Sequence, residues 1–205
     1  MRFNRPLVGG AAAVLLLLIV AGIALTRSGG PSTARADVMA AGLYNPPHSA
    51  PDFMLRGSNG SDVTLSRFRG KIVLLTFGFT SCAAVCPTNL ATLAQTRKAL
   101  GKTADRVQVV FVTVDPDRDG VAQLRDYVSA FDPTFVGATG TPEELAAARG
   151  KYGVTATKEG RGEDYAFAHT SSIFLIDPAG KLRAMMPFGH EAKDFVHDIN
   201  LVLAS

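Results

Sequence analysis

Two uninterrupted runs of apolar residues, at positions 72–79 and 107–114, limit most strongly what this chain can fold into. They read IVLLTFGF and VQVVFVTV and are rich in β-branched and aromatic side chains. Such runs are typical of strands that are buried on both faces of a sheet. Helical patterns follow at 88–100 and 121–131, the second after an Asp-rich segment at 115–119 that we expect to end the strand and cap the helix. The sequence therefore predicts an α/β fold.

The segments around these runs predict a mixed sheet flanked by helices. Residues 53–55 and 63–65 enclose a Gly-Ser-Asn-Gly turn, which predicts an N-terminal β-hairpin. Helices are predicted at 142–152, which opens with a Thr-Pro-Glu-Glu capping box, and at 191–203, and a strand, turn and strand lie between them at 172–186. This order of elements fits a thioredoxin-like fold with an added N-terminal hairpin.

An uncharged apolar run at 7–25 lies within the N-terminal leader, residues 1–36. A helix of that length, at about 1.5 Å per residue, would be roughly 28 Å long and would span the bilayer core. We expect a single-pass membrane anchor, with the domain on the exported (periplasmic or extracytoplasmic) side. Cleavage at Ala34-Arg35-Ala36, which would give a secreted form, is the alternative. Residues 37–50 are expected to be a linker and residues 51–205 the folded domain.

The distribution of charge argues against a nucleic-acid partner. The formal net charge is +3, but residues 1–36 hold four arginines and no acidic residue, which leaves 17 basic and 18 acidic side chains in the remainder. A near-neutral domain lacks the concentrated positive charge with which proteins bind a polyanion.

The two cysteines, Cys82 and Cys86, lie in the segment SCAAVCP between the first buried strand and the helix that follows it. Backbone amides at a helix N-terminus favour a thiolate, which makes a cysteine there a good nucleophile and a good metal ligand. In an exported protein an even pair of cysteines is also a candidate for a structural disulfide. A bridge across three intervening residues closes a loop too short to stabilise a domain by much. We therefore favour a metal site or a redox pair.

One of the four histidines is placed where it could complete a metal site. His169 precedes the predicted strand at 173–176, and in a thioredoxin-like sheet that strand begins beside the cysteine segment. Two thiolates and an imidazole at one site would select copper or zinc. The other histidines are expected in the linker, in a loop and on a solvated helix face, and are His48, His190 and His197.

Several motifs together resemble the Sco/SenC family of membrane-anchored copper chaperones. They are FGFTSCAAVCP at 77–87, VDPDRD at 114–119, FVGATGT at 135–141, and DY at 164–165 with His169 and FLID at 174–177. The resemblance covers residues 50–205 and implies a thioredoxin-like fold in which Cys82, Cys86 and His169 bind Cu(I) or Cu(II).

The same resemblance implies a role in assembling the dinuclear copper centre of cytochrome c oxidase. The protein would deliver copper to that centre, reduce the cysteines of the centre, or do both. The implied partners are the copper-centre subunit of the oxidase, a thiol reductant or copper donor, and the membrane. Enzymatic activity is implied only as thiol-disulfide reduction.

The sequence departs from the family's pattern beside the expected ligands. Ser81 stands where a histidine usually precedes the first cysteine, Ala83 and Ala84 stand for Pro-Asp, and Ala168 stands for an aspartate before the metal-binding histidine. Carboxylates near a metal ligand orient it and raise its basicity, and their loss can lower metal affinity by about 10- to 100-fold. We therefore expect Cu(II) to be retained less tightly than the family pattern implies.

Two other functions fit part of the same pattern. An exported thiol-disulfide oxidoreductase would use Cys82 and Cys86 without metal, and it would not need His169. A thiol peroxidase is suggested by Val-Cys-Pro-Thr at 85–88, but Ala83 stands where the peroxiredoxin motif has threonine.

Overall fold

The structure is a computed structural model, and it describes residues 38–162 and 164–205. Met39–Ser205 form a compact unit. The apolar run at 7–25, and with it the predicted anchor or signal, lies outside the described residues. Within the described ranges, no helix has both the length and the apolar character needed to cross a membrane.

The strands and helices of the described chain follow one another in the order β1 (Gly42–Ser49), β2 (Leu55–Gly57), β3 (Asp62–Val63), β4 (Ile72–Gly78), α1 (Val85–Leu100), β5 (Val107–Thr113), α2 (Val121–Ser129), β6 (Val136–Thr139), α3 (Pro142–Lys151), β7 (Ala156–Arg161), β8 (Asp164–His169), β9 (Ile173–Ile176), β10 (Lys181–Met186) and α4 (Ala192–Ala204). Short 3-10 helices lie at Leu65–Phe68 and Gly101–Arg106.

Eight strands form a mixed sheet in the order β1-β10-β9-β4-β5-β6-β2-β3. The two apolar runs are its central strands, β4 and β5, which are parallel to each other and buried at every residue. Strand β6 continues the parallel set, and β9 runs antiparallel to β4 on the other side. The predicted α/β, thioredoxin-like mixed sheet with helices is confirmed.

Local signals in the sequence explain where several elements end or begin. Helix α1 stops at Gly101, whose φ of 56° is readily adopted only by glycine. Helix α3 opens with the predicted capping box, because the Glu144 amide donates to Thr141 Oγ1 and the Thr141 amide donates to Glu144 Oε2. The predicted N-terminal hairpin is β2 and β3, and β2 also pairs with β6.

The predicted linker at 37–50 contains a strand, so this part of the prediction needs correction. Strand β1 pairs antiparallel with β10 at the edge of the sheet, with a register shift between Leu43 and His48. The two prolines of this strand argue against a central strand, but an edge strand tolerates them because one of its sides forms no ladder. Just before β1, the amides of Ala40 and Ala41 donate to the fully buried carboxylate of Asp198 on α4.

The hairpin formed by β7 and β8 was not predicted. These strands pair only with each other among the strands of the described chain, and they form a separate two-stranded sheet. Strand β7 is largely exposed, so its sequence carries little apolar signal. Strand β8 alternates between exposed and half-buried residues, and its half-buried positions are Tyr165, Phe167 and His169.

The topology brings three segments to one edge of the sheet. Parallel β4 and β5 end at the same edge, which places the cysteine segment and the Asp-rich segment side by side. Antiparallel β9 begins at that edge, because Ile173 pairs with Thr76 near the end of β4. His169, shortly before β9, therefore lies close to the two cysteines.

Candidate metal centre

The two cysteines lie on either side of the start of helix α1. Cys82 is half-buried in the loop after β4, and Cys86 is buried in the first turn of the helix. The residue just before the helix, Ala84, has no side chain that could accept a hydrogen bond from the first-turn amides. Instead the Cys86 amide donates to Cys82 Sγ at 3.4 Å. Both cysteines are free thiols, so the structural disulfide is not formed in this structure.

The two thiols differ in acidity. Burial acts to raise the pKa of Cys82, but hydrogen bonds from the Cys86 amide and thiol and from the amides of Ala84 and Val85 outweigh it, and the pKa of Cys82 lies below its usual value. Burial raises the pKa of Cys86 far above its usual value, and the nearby charges of Cys82 and Asp119 raise it further. Cys82 is therefore the thiol that ionises first, and Cys86 holds its proton more strongly.

Gly78, the last residue of β4, makes room for the Cys86 sulfur. A Cβ atom at this position would lie 2.7 Å from Cys86 Sγ and 2.8 Å from Cε2 of Phe111. Phe111 belongs to the buried strand β5 and has little freedom to move. A side chain at position 78 would therefore displace the sulfur.

His169 ends strand β8 with its ring directed at Cys86. Its Nε2 lies 3.5 Å from Cys86 Sγ, and its Nδ1 lies 2.9 Å from the carbonyl oxygen of Thr170. Because a carbonyl oxygen only accepts hydrogen bonds, Nδ1 carries the proton and Nε2 presents its lone pair to the sulfur. The ring also packs edge-on against Phe79 at 5.8 Å between centroids.

These three side chains form one group of possible metal ligands. Their ligand atoms, two sulfurs and one nitrogen, all lie within 4.8 Å of one another. Two thiolates and a neutral imidazole are soft donors that suit Cu(I), and zinc is also compatible with them. The three donor atoms therefore fit copper and already lie close together in the folded chain.

The remaining histidines do not join this group. His48 is exposed on β1 and packs edge-on against Tyr44, and His190 lies 3.4 Å from a carboxylate oxygen of Asp194. His197 is half-buried on α4. The neighbouring Asp198 is fully buried, so the helix face that was expected to be solvated is partly packed.

The residues that depart from the family's pattern are all exposed at the surface beside the cysteines and His169, and they are Ser81, Ala83, Ala84 and Ala168. No charged side chain therefore stands at these four positions. The carboxylate nearest to the loop before Cys82 comes instead from Asp119, which is fully buried. It accepts hydrogen bonds from the Thr80 amide at 2.9 Å, from Thr80 Oγ1 at 2.6 Å and from Thr113 Oγ1 at 2.6 Å.

This finding corrects the prediction for the Asp-rich segment at 115–119. Helix α2 begins after Gly120 and receives no side-chain cap, so the segment does not cap it. Asp119 instead fixes the loop that carries Cys82. Asp115, also buried, accepts hydrogen bonds from Arg118 and from Tyr165 of the hairpin. The VDPDRD motif was the available signal, because its acidic residues follow a fully buried strand.

The SCO1/SenC family profile matches residues 42–204, a span that contains both cysteines and His169. A curated relative, "Protein SCO2 homolog, mitochondrial" of Mus musculus, is 36% identical over 158 residues, which cover 75% of this chain and 62% of the relative. The chain thus spans less than two thirds of the length of that relative.

Solved structures show the same fold. The crystal structure of Arabidopsis thaliana ScoI with copper bound has a TM-score of 0.71 and 30% identity, and the match covers 77% of this chain and 100% of that chain. The structure of BsSco has a TM-score of 0.63 and 25% identity, and the match covers 78% of this chain and 97% of that chain. BsSco is described as having a disulfide switch and as a member of the Sco family of cytochrome c oxidase assembly proteins.

Proposed function

Because the chain belongs to the SCO1/SenC family, we propose that it is a copper chaperone of cytochrome c oxidase assembly that binds Cu(I) through Cys82, Cys86 and His169. The observation that carries this proposal is the convergence of two sulfur atoms and an imidazole nitrogen within 4.8 Å. The copper-bound structure of a relative with the same fold supports it. Cys82 would supply a thiolate, Cys86 would release its proton to become the second, and His169 would donate the lone pair of Nε2.

The proposed recipient is the subunit of the oxidase that holds the dinuclear copper centre. The description of BsSco as a cytochrome c oxidase assembly protein supports this choice. We further propose that the domain lies on the exported side of the membrane, held by the apolar run at 7–25 as a single-pass anchor. After each transfer, a copper donor would reload the site or a thiol reductant would reduce Cys82 and Cys86 again.

Reduction of the recipient's cysteines is the second candidate function, and the unequal acidity of the two thiols favours it. The Cys82 thiolate would attack a disulfide of the recipient and form a mixed disulfide, releasing one thiolate of the recipient. The recipient thiolate released first would take the proton of Cys86, and the Cys86 thiolate would then attack the Cys82 sulfur and release the second thiolate. The chain would end with a Cys82–Cys86 disulfide, oxidised by two electrons, and an external dithiol would be needed to reduce it.

A titration of the reduced full chain with Cu(I), in competition with a chromogenic chelator, tests the copper site. We expect one tightly bound Cu(I) per chain, and weaker binding in Cys82→Ser and in His169→Ala. His48→Ala is the matched control, because it removes an exposed imidazole on β1, outside the ligand group. Oxidation of the cysteine pair should abolish binding, since a disulfide offers no thiolate. Unchanged affinity in Cys82→Ser would overturn the proposal.

A comparison of two variants separates copper delivery from thiol reduction. His169→Ala should reduce the copper occupancy of the oxidase centre at limiting copper, while the purified variant still reduces a disulfide substrate. Cys86→Ser should lose both activities, because it removes a ligand and the resolving thiol. Full occupancy of the centre in His169→Ala, together with loss of occupancy in Cys86→Ser, would favour the metal-free thiol-disulfide oxidoreductase instead.

A further inference from the structure

The hairpin of β7 and β8 carries His169 but is not part of the main sheet. Its two strands form backbone ladders only with each other among the described strands. A ladder to the main sheet therefore does not fix the position of the His169 imidazole. Two things do so: the short connection to β9, where Asn89 Nδ2 donates to the Ser171 carbonyl oxygen at 3.0 Å, and side-chain contacts between the hairpin and the rest of the domain.

The principal polar contact is made by Tyr165, four residues before His169. Its hydroxyl donates to Asp115 Oδ1 at 2.8 Å, and Asp115 is buried immediately after β5. Arg118 connects the same two residues, because its Nε donates to Asp115 Oδ2 at 2.5 Å and its Nη1 donates to the Tyr165 carbonyl oxygen at 3.1 Å. These three residues form a closed set of hydrogen bonds, which we call the latch.

The ring of Tyr165 strengthens the latch. The guanidinium carbon of Arg118 lies 3.7 Å from the ring centroid, a close cation-π contact. Lys158 on β7 places its ammonium group 3.5 Å from the same centroid and lies 3.8 Å from a carboxylate oxygen of Asp117. One aromatic ring thus joins both hairpin strands to the segment after β5.

A row of aromatic rings connects the latch to the imidazole. Tyr165, Phe167 and His169 alternate along β8, and side chains two residues apart in a strand share a face. The Tyr165 and Phe167 rings are 5.8 Å apart, Phe167 is 5.7 Å from Phe79, and Phe79 is 5.8 Å from His169. A displacement of Tyr165 would therefore be passed through packed rings to His169.

We propose that Tyr165, held by Asp115 and Arg118, is a positioning residue for copper binding, which fixes the hairpin so that Nε2 of His169 faces the two sulfurs. The inference rests on the proposed copper site. Its physical reason is preorganisation: a hairpin that is already fixed does not lose conformational freedom when the metal binds, and the affinity is correspondingly higher.

The test uses Cu(I) and the reduced full chain, with the competition assay described above. Tyr165→Phe keeps the ring over which both cations lie and removes only the hydrogen bond to Asp115, and we expect it to weaken Cu(I) binding by about tenfold. Tyr165→Ala, which also removes the ring, should weaken it further. Tyr44→Phe is the control, because it removes a tyrosine hydroxyl from β1 at the far edge of the sheet and should leave the affinity unchanged.

A double-mutant cycle distinguishes positioning from a general loss of stability. If Tyr165 acts through His169, Tyr165→Phe should have no further effect on Cu(I) affinity once His169 is replaced by alanine. In the metal-free chain, Tyr165→Phe should also speed amide hydrogen exchange in β8 and leave α1 unchanged. The inference would be overturned if Tyr165→Phe weakened Cu(I) binding equally in the wild-type chain and in His169→Ala. It would also be overturned if Tyr165→Phe alone bound Cu(I) with wild-type affinity. Wild-type affinity in Cys82→Ser would instead overturn the copper site itself.

Discussion

Cys82 and Cys86 share one helix N-terminus, yet the chain gives them opposite acidities. Cys82 lies where first-turn amides and the Cys86 thiol donate to its sulfur, whereas Cys86 is buried beneath it. Cys82 therefore loses its proton more readily than Cys86 before any metal binds. This order suits both proposed roles, because Cys82 can act as the first metal ligand or as the attacking thiol.

The difference in acidity predicts selective alkylation of the reduced, metal-free chain. Because its pKa is lowered, Cys82 should react with iodoacetamide faster than Cys86 at neutral pH, and its apparent pKa should lie below that of an ordinary cysteine. The rates are measured by mass spectrometry of peptides after brief labelling across a pH series. Faster labelling of Cys86 would contradict this account.

The buried thiol also predicts how copper affinity depends on pH. Burial raises the pKa of Cys86, so its sulfur is protonated at neutral pH and must lose that proton when Cu(I) binds. The Cu(I) affinity, corrected for the chelator, should therefore rise with pH by about tenfold per unit for this one proton. The slope should be smaller in Cys86→Ser. An affinity that does not change with pH would show that Cys86 is not a ligand.

The space for the Cys86 sulfur depends on Gly78. Gly78→Ala should lower the free energy of unfolding by about 1–3 kcal/mol, because the added methyl group overpacks a rigid site, and it should also weaken Cu(I) binding. Gly150→Ala on helix α3 is the control: a Cβ there meets no atom within 4 Å, and alanine should stabilise the helix by up to about 1 kcal/mol. Both are measured by urea denaturation, and equal stabilities of the two variants would refute the steric argument.

At the scale of elements, the sequence predicted best where burial is complete. Strands β4 and β5 are continuous apolar runs, and helix α3 is marked by its capping box, so local physics identifies all three. Strands β1 and β7 are largely exposed, and β8 alternates between exposed and half-buried residues, so none of them carries a strong apolar signal. Strand β1 is stabilised by pairing with β10, which is distant in sequence. Composition alone does not predict that pairing.

The residues of the candidate site likewise divide into those that the sequence predicts and those that it does not. Both cysteines and His169 could be predicted, because their residue types and their places relative to buried strands limit their chemistry. Gly78 and Asp119 could not, because their roles depend on contacts made after folding: a sulfur 2.7 Å from a hypothetical Cβ, and three hydrogen bonds to one buried carboxylate.

The contacts of strand β1 and of the residues just before it predict that residues before position 51 stabilise the folded domain. A chain of residues 51–205 would lose the edge strand and both amides that donate to Asp198, and buried acceptors without donors are costly. Its free energy of unfolding should be lower than that of residues 38–205 by about 2–4 kcal/mol. Asp198→Ala should destabilise the longer chain and have little effect in the shorter one. Equal denaturation midpoints for the two chains would show that β1 contributes nothing.

On the scale of the whole molecule, the segments that carry the candidate site lie together where β4 and β5 end and β9 begins. The cysteine loop follows β4, the Asp-rich segment follows β5, and the hairpin returns its last residue to the start of β9. Each of these segments contacts the next: Asp119 holds the cysteine loop, and Asp115 with Arg118 holds the hairpin. The fold thus builds a three-donor site from parts of the chain that are far apart in sequence.

X-ray absorption spectroscopy of the reduced full chain, loaded with one equivalent of Cu(I), identifies the atoms bound to the copper. We expect a three-coordinate copper with two sulfur neighbours and one imidazole nitrogen, and in His169→Ala we expect another ligand in place of the imidazole. A copper shell without sulfur, or one whose imidazole signal persists in His169→Ala, would contradict the proposed copper site.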